Sequence, residues 1–119
     1  MTMNAEKIRE WRIKNPNRVL DATTLQRILN LQSLQRADLR WSDLQGADLS
    51  GADLKGADLR FANLRGSDLH EADMRCTDLR CTDLGGSSLR FIDLRWSVLR
   101  GADLRGADTV GANLRNILL

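Results

Sequence analysis

Ala37-Asp38-Leu39-Arg40-Trp41, Ser42-Asp43-Leu44-Gln45-Gly46, Ala47-Asp48-Leu49-Ser50-Gly51: from Ala37 to Asn116 the chain repeats a five-residue unit sixteen times without an insertion. The third residue, the centre of each unit, is Leu in fourteen of the sixteen, with Met74 and Thr109 as the exceptions. The first residue is small in fifteen units, Ile92 being the outlier. The second is Asp in twelve, and Asn63, Asn113, Ser88 and Val98 fill the other four. Eight units end in Gly.

An α-helix cannot use this pattern. A step of five residues rotates the leucine by about 140° on a helix, which scatters the apolar positions over every face. Glycine at the end of half the units is a poor helix former as well. In an extended segment, by contrast, the first and third residues share a face and the second points away. Two inward residues followed by two turn residues make a short strand and a corner. Repeated, they wind the chain into an all-β solenoid with Leu and Ala inside and Asp and the basic residues outside. Successive coils then satisfy each other's backbone polar groups.

Column statistics address the number of sides. With four sides per coil, residues twenty apart align, and Gly46, Gly66, Gly86 and Gly106 form one all-Gly corner. That suits a type II turn, which needs φ > 0 at this place. A three-sided coil gives no uniform Gly column. In the corner of Trp41, Phe61, Cys81 and Gly101 the bulky side chains disfavour φ > 0, so a different turn type is expected there.

These units resemble the pentapeptide-repeat proteins, whose motif is written A-(D/N)-L-x-x. The resemblance implies a right-handed quadrilateral β-helix, here of about four coils over residues 37–119. It also extends to Trp11-Arg12-Ile13-Lys14-Asn15-Pro16, which looks like a lead-in found before the repeats in bacterial members.

Residues 1–36 read as a helical cap. Helices are expected over 4–14 and about 22–34, broken at Asn15-Pro16-Asn17 because Pro disfavours a continuing helix. Asp21 or Thr23 would cap the second, whose Leu25, Ile28, Leu29 and Leu31 supply an apolar side. A solenoid needs its first coil covered, and this segment is placed to do it. At the other end Ile117-Leu118-Leu119 begins a seventeenth unit and stops, leaving strand edges and leucine bare. End-to-end homodimerisation through Ile117, Leu118 and Leu119 is the corresponding expectation.

The residues that could carry chemistry do not converge. His70 is the sole histidine, at an outward position. The twelve second-position Asp are evenly spaced, so they are read as structural acceptors for backbone and Arg donors rather than as paired catalytic acids or a Ca²⁺ cluster. Cys76 and Cys81 match neither a zinc cluster nor a redox pair, and no disulfide is expected between them. No enzyme, cofactor or metal is expected. No apolar run is long enough for a membrane span and the N-terminus lacks a secretion-type stretch, so a cytoplasmic protein without membrane contact is expected.

Charge narrows the partners. Residues 1–36 carry seven Lys/Arg against three acids, whereas 37–119 carry eleven against thirteen. Arg40, Arg60, Arg80 and Arg100 align on one expected face, each two residues from an Asp or its replacement. Lys55, Arg75, Arg95 and Arg115 do so on another. Only Val98 and Asn113 remove the acidic neighbour, beside Arg100 and Arg115. Some members of the resembled family are DNA mimics that bind DNA gyrase. Such a rod needs unpaired negative charge, and local neutralisation removes it, which leaves gyrase inhibition or modulation as the alternative reading. Nucleic-acid binding by the Arg columns is disfavoured by the net negative repeats. The partner is expected to be protein, and the candidate surface comprises the aromatics Trp41, Phe61, Phe91 and Trp96 with the column Arg40, Arg60, Arg80, Arg100. Trp41 should stack on Phe61, and Trp96 should lie over Cys76.

Overall fold

In the computed structural model, which describes residues 1–119, the Leu39 N–H donates to the Asp58 carbonyl at 2.8 Å and the Asp58 N–H to the Ala37 carbonyl at 3.0 Å. That exchange is a parallel bridge, and it recurs between second-position residues twenty apart, from Asp38↔Asp58 to Val98↔Leu118. Each bridge is isolated, so the coil contains no continuous strand. Three extended residues alternate with a two-residue corner, too short for a longer ladder. Four five-residue units therefore separate stacked partners. The molecule measures 38 × 24 × 23 Å.

Every donor of a typical repeat has a defined partner. The second-position N–H reaches the preceding coil, and the third- and fifth-position N–H groups reach the next, as in Asp78→Ala57, Leu79→Val98 and Cys81→Arg100. The first-position N–H closes the corner onto the centre three residues back, as in Thr82→Leu79. Only the fourth-position N–H has no backbone acceptor, and the second-position side chain supplies one. The Asp78 carboxylate accepts from the Arg80 N–H at 3.2 Å, and Asn63 accepts from Arg65 at 3.0 Å. This explains why Asp and Asn share that position: a carboxylate or an amide oxygen closes the same local loop.

The corners overturn one expectation. All sixteen fifth-position residues have positive φ, Trp41 at 64°, Phe61 at 62° and Cys81 at 57° as well as the eight glycines. The aromatic corner uses the same left-handed residue as the glycine corner. From Trp41 to Trp96 two hydrogen bonds fix each corner whatever side chain it bears, and together they offset a left-handed penalty of about 1–2 kcal/mol.

Leucine lines the interior. The centres from Leu39 to Leu99 are buried with the small first residues in one continuous core, each leucine contributing about 1.5–3 kcal/mol relative to exposure. The buried hydroxyls of Thr77, Thr82, Ser87 and Ser97 donate to carbonyls, as Thr82 to Leu59 at 2.7 Å and Ser97 to Leu94 at 2.6 Å, whereas those of Ser42 and Ser67 have no partner. The core thins in the last coil. Thr109 and Leu114 are exposed there, at the open end of the coil.

At the other end α1 (Met3–Lys14) is capped by Thr2 and α2 (Ala22–Leu29) by Asp21, whose carboxylate accepts the Thr24 N–H at 2.7 Å. The second helix stops five residues before the expected limit, because Asn30 turns left-handed (φ 55°) and ends it. The freed residues join the solenoid: Leu34 is only 2% exposed, and the Arg36 N–H donates to the Lys55 carbonyl at 2.9 Å. Coil geometry thus begins before Ala37. Ile8, Trp11, Leu20, Leu25 and Leu29 join the leucine core. Polar groups then meet the first coil's unpaired edge. Asn4 Nδ2 donates to the Asp38 carbonyl at 2.8 Å, Arg12 Nη2 to the Gln45 carbonyl at 2.9 Å, and the Leu20 carbonyl accepts the Asp48 N–H at 2.8 Å. No helix of the structure is long and apolar enough to cross a membrane.

Candidate functional site

Because the coil repeats every twenty residues, side chains at one position form columns up the outside. Trp41 and Phe61 share a corner column, and their rings stack with centroids 4.3 Å apart and planes 7° from parallel. They are 55% and 45% exposed. Above them the column continues with Cys81 and Gly101, so the stack ends at two rings. Beside it runs the arginine column. Arg40, Arg60 and Arg80 each fold back on the Asp two residues earlier, with Nη2–Oδ2 distances of 2.8, 2.7 and 2.6 Å. Arg40 and Arg60 also reach the carboxylate of the next coil, at 3.8 Å to Asp58 and 3.6 Å to Asp78. Arg100, the fourth member of that column, has no ion pair: Val98 stands where the others have Asp.

The same geometry governs the neighbouring face. Arg75 and Arg95 clasp Asp73 and Asp93, each with an Nη2–Oδ2 distance of 2.7 Å. The arginine hydrogen bond lowers the carboxyl pKa of Asp38, Asp73, Asp78 and Asp93 despite opposing desolvation. Arg105 holds Asp103 furthest down, to about 2. Elsewhere other donors lead: the Ser50 hydroxyl lowers Asp48, and the Val110 N–H lowers Asp108. These carboxylates are set for permanent charge and not for proton transfer near neutrality.

The remaining candidate aromatics stand apart. Phe91 occupies a different corner and meets the His70 ring edge-on at 6.4 Å. Trp96 occupies a third, in the column of Cys76, whose N–H donates to the Arg95 carbonyl. Of the eight candidate residues, Trp41, Phe61, Arg40 and Arg60 form one compact patch, Arg80 and Arg100 continue its arginine column, and Phe91 and Trp96 stand at separate corners. His70 Nε2 lies 3.4 Å from Glu71 in the open. Cys76 and Cys81 are free, exposed thiols. No three His, Cys, Asp or Glu side chains converge. The largest surface depression, about 540 Å³, lies over Gly111–Arg115 at the open end of the coil.

The pentapeptide-repeat family profile matches residues 33–70, 52–90 and 77–116. The chain belongs to the pentapeptide-repeat family. Its members form right-handed quadrilateral β-helices, and the twenty-residue bridge interval gives this chain the matching coil of four five-residue units. Among solved structures it is similar to a pentapeptide-repeat protein from the thylakoid lumen of Arabidopsis thaliana, with a TM-score of 0.74 and 30% identity. The match covers 84% of this chain and 65% of that one, so the present chain spans about two thirds of that protein's length. A pentapeptide-repeat protein from Nostoc PCC 7120 is similar with a TM-score of 0.68 and 34% identity, over 81% of this chain and 78% of that one. No curated protein sequence matches the chain.

Proposed function

We propose that this pentapeptide-repeat protein is a non-catalytic scaffold acting through protein–protein contacts, built as about four coils over 37–119, with Leu34 and Arg36 already joined to the solenoid, beneath a helical cap formed by α1 and α2. The observation that carries the reading is the exposed Trp41–Phe61 stack. Both residues hold a left-handed backbone that eight sister units give to glycine. Exposure and backbone strain at the same side chains mark a surface kept for contact. The cap reading follows from Asn4, Arg12 and Leu20 meeting polar groups that the first coil would otherwise leave bare. Free thiols at Cys76 and Cys81 suit a reducing cytoplasm.

Cross-linked pull-down from a native lysate tests the contact surface, comparing the wild type with Trp41→Ala and Phe61→Ala. Loss of the same captured partner in both variants supports the reading, and unchanged capture removes it. Gyrase inhibition or modulation by DNA mimicry is the weaker alternative, since the Asp columns are neutralised by arginine. A supercoiling assay showing inhibition by the wild type would reverse that order. The bare edge at Ile117, Leu118 and Leu119 fits a second copy placed end to end. A concentration-independent monomer mass by sedimentation would discard the dimer.

A further inference from the structure

Ten arginines stand at the fourth position of a repeat. Eight hold an ion pair, with the Asp two residues earlier, the Asp eighteen residues later, or both. Arg100 and Arg115 hold none. The sequence shows why. Both places where an acid could meet Arg100 are apolar, Val98 and Leu118, and these two are bridged to each other at the end of the column Asp38, Asp58, Asp78. Arg115 follows Asn113, whose amide oxygen accepts the Arg115 N–H at 3.3 Å and so closes the turn without supplying charge; Arg65, which also follows an Asn, pairs with Asp83 eighteen residues later, a place that for Arg115 falls past Leu119.

The most exposed of the four corner aromatics lies between them. Trp96 is 62% exposed and left-handed at φ 65°. Its N–H donates to the Arg115 carbonyl at 3.3 Å, and Arg100 follows four residues later on the next side. Unlike Trp41, it has no aromatic partner, since its column neighbours are Cys76 and Asn116. Three features therefore adjoin: an unstacked indole where glycine would relax the backbone, the Arg100 guanidinium whose two acid places are apolar, and the Arg115 guanidinium beside Asn113 in place of Asp. Departures that local stability does not reward are where a fold carries function.

We propose that Trp96, Val98, Arg100 and Arg115 form a docking site for an acidic protein segment, with carboxylates meeting the two guanidinium groups and an apolar side chain lying against Trp96 and Val98. This rests on the reading of the chain as a protein-contact scaffold. Guanidinium forks match carboxylates bidentately, as six Asp–Arg pairs of this molecule already do. A nucleic-acid strand fits worse. It needs a continued run of free cations, and the arginines next along each column, Arg80 and Arg95, are neutralised by Asp78 and Asp93.

The test is selection of a displayed random dodecapeptide library on the folded wild-type protein, repeated on Arg100→Glu/Arg115→Glu, Trp96→Gly and Val98→Asp. The last restores the acid that the repeat elsewhere provides, so it should pair Arg100 while leaving the fold intact. Circular dichroism of each variant confirms folding. Wild type should enrich peptides combining Asp or Glu with an aromatic or aliphatic residue. Fluorescence anisotropy of the best peptide should show at least about tenfold weaker binding to every variant and unchanged binding to Arg65→Ala, an arginine already paired with Asp83. The site is refuted by failure to enrich acidic peptides, by equal binding to Val98→Asp, by equal loss in Arg65→Ala, or by single-stranded oligonucleotide competing more strongly than the peptide. Failure here with partner capture still dependent on Trp41 and Phe61 removes this site and leaves the scaffold reading. The reverse outcome removes the Trp41–Phe61 surface and leaves this one.

Discussion

Asp78 holds Arg80 twice: its Oδ1 accepts the Arg80 main-chain N–H at 3.2 Å while its Oδ2 takes the guanidinium at 2.6 Å. The first bond closes the turn, and the second neutralises the surface. The two roles separate by substitution. Asp78→Asn keeps the turn acceptor, as Asn63 and Asn113 do naturally, and loses the ion pair, for a cost of about 0.2–1 kcal/mol. Asp78→Ala leaves the Arg80 N–H without its acceptor as well and should cost about 1 kcal/mol more. Urea unfolding of the two variants measures the difference. Equal destabilisation would mean that the turn bond contributes nothing.

Gly66 tests the corner backbone by itself. Its φ is 63°, and a Cβ added there meets nothing within 4 Å. Gly66→Ala should therefore destabilise by about 1–2 kcal/mol through the left-handed penalty alone, less the unfolded-state entropy it removes. Gly111→Ala adds a collision with the Phe91 ring, but in a coil whose core is already thin. Thermal melts that place Gly66→Ala at or above the wild type would show that the penalty is absorbed elsewhere.

The inward leucines and the outward Asp were legible because a five-residue period admits only one extended winding that hides them. The Trp41–Phe61 stack was legible for the same reason, as a twenty-residue column. The left-handed backbone at Trp41, Phe61 and Cys81 was not, since residue preference speaks for one position whereas the corner's hydrogen bonds bind two coils. Leu34 escaped notice because Gln32-Ser33-Leu34-Gln35-Arg36 keeps only the central leucine of the motif. The Asn4 and Arg12 bonds to first-coil carbonyls had no sequence signal, as they depend on where a helix lies. Arg100 and Arg115 had one: Val98 and Asn113 each interrupt a column of Asp, and the structure adds the absence of any substitute partner.

Leu79 and Arg80 are neighbours on opposite sides of the wall. Leu79 is fully buried, so Leu79→Ala should cost about 2–5 kcal/mol, and Leu79→Arg should unfold the middle coils by burying a charge. Arg80→Ala removes only a half-exposed ion pair and should cost far less than either. Circular dichroism melts give the ranking. A folded, cooperative Leu79→Arg protein would place that side chain outside the core.

Acid separates the carboxylate pairs from the leucine core. The pKa values of Asp38, Asp73, Asp78 and Asp93 are lowered chiefly by their arginines, and that of Asp103 reaches about 2. A carboxyl depressed on folding stabilises fully above its unfolded value of about 3.9, and the contribution disappears as pH falls through the folded value. Melting temperature should therefore hold steady on these groups' account from neutrality to about pH 5 and decline below about pH 4, down to the protonation of Asp103 near about 2. Asp78→Asn should show a shallower decline, since one depressed group is gone. Because the pairs are partly solvated, added salt should flatten the profile while leaving the leucine contribution intact. A profile flat to about pH 2 would mean that the Asp–Arg lattice gives the folded state no net stabilisation.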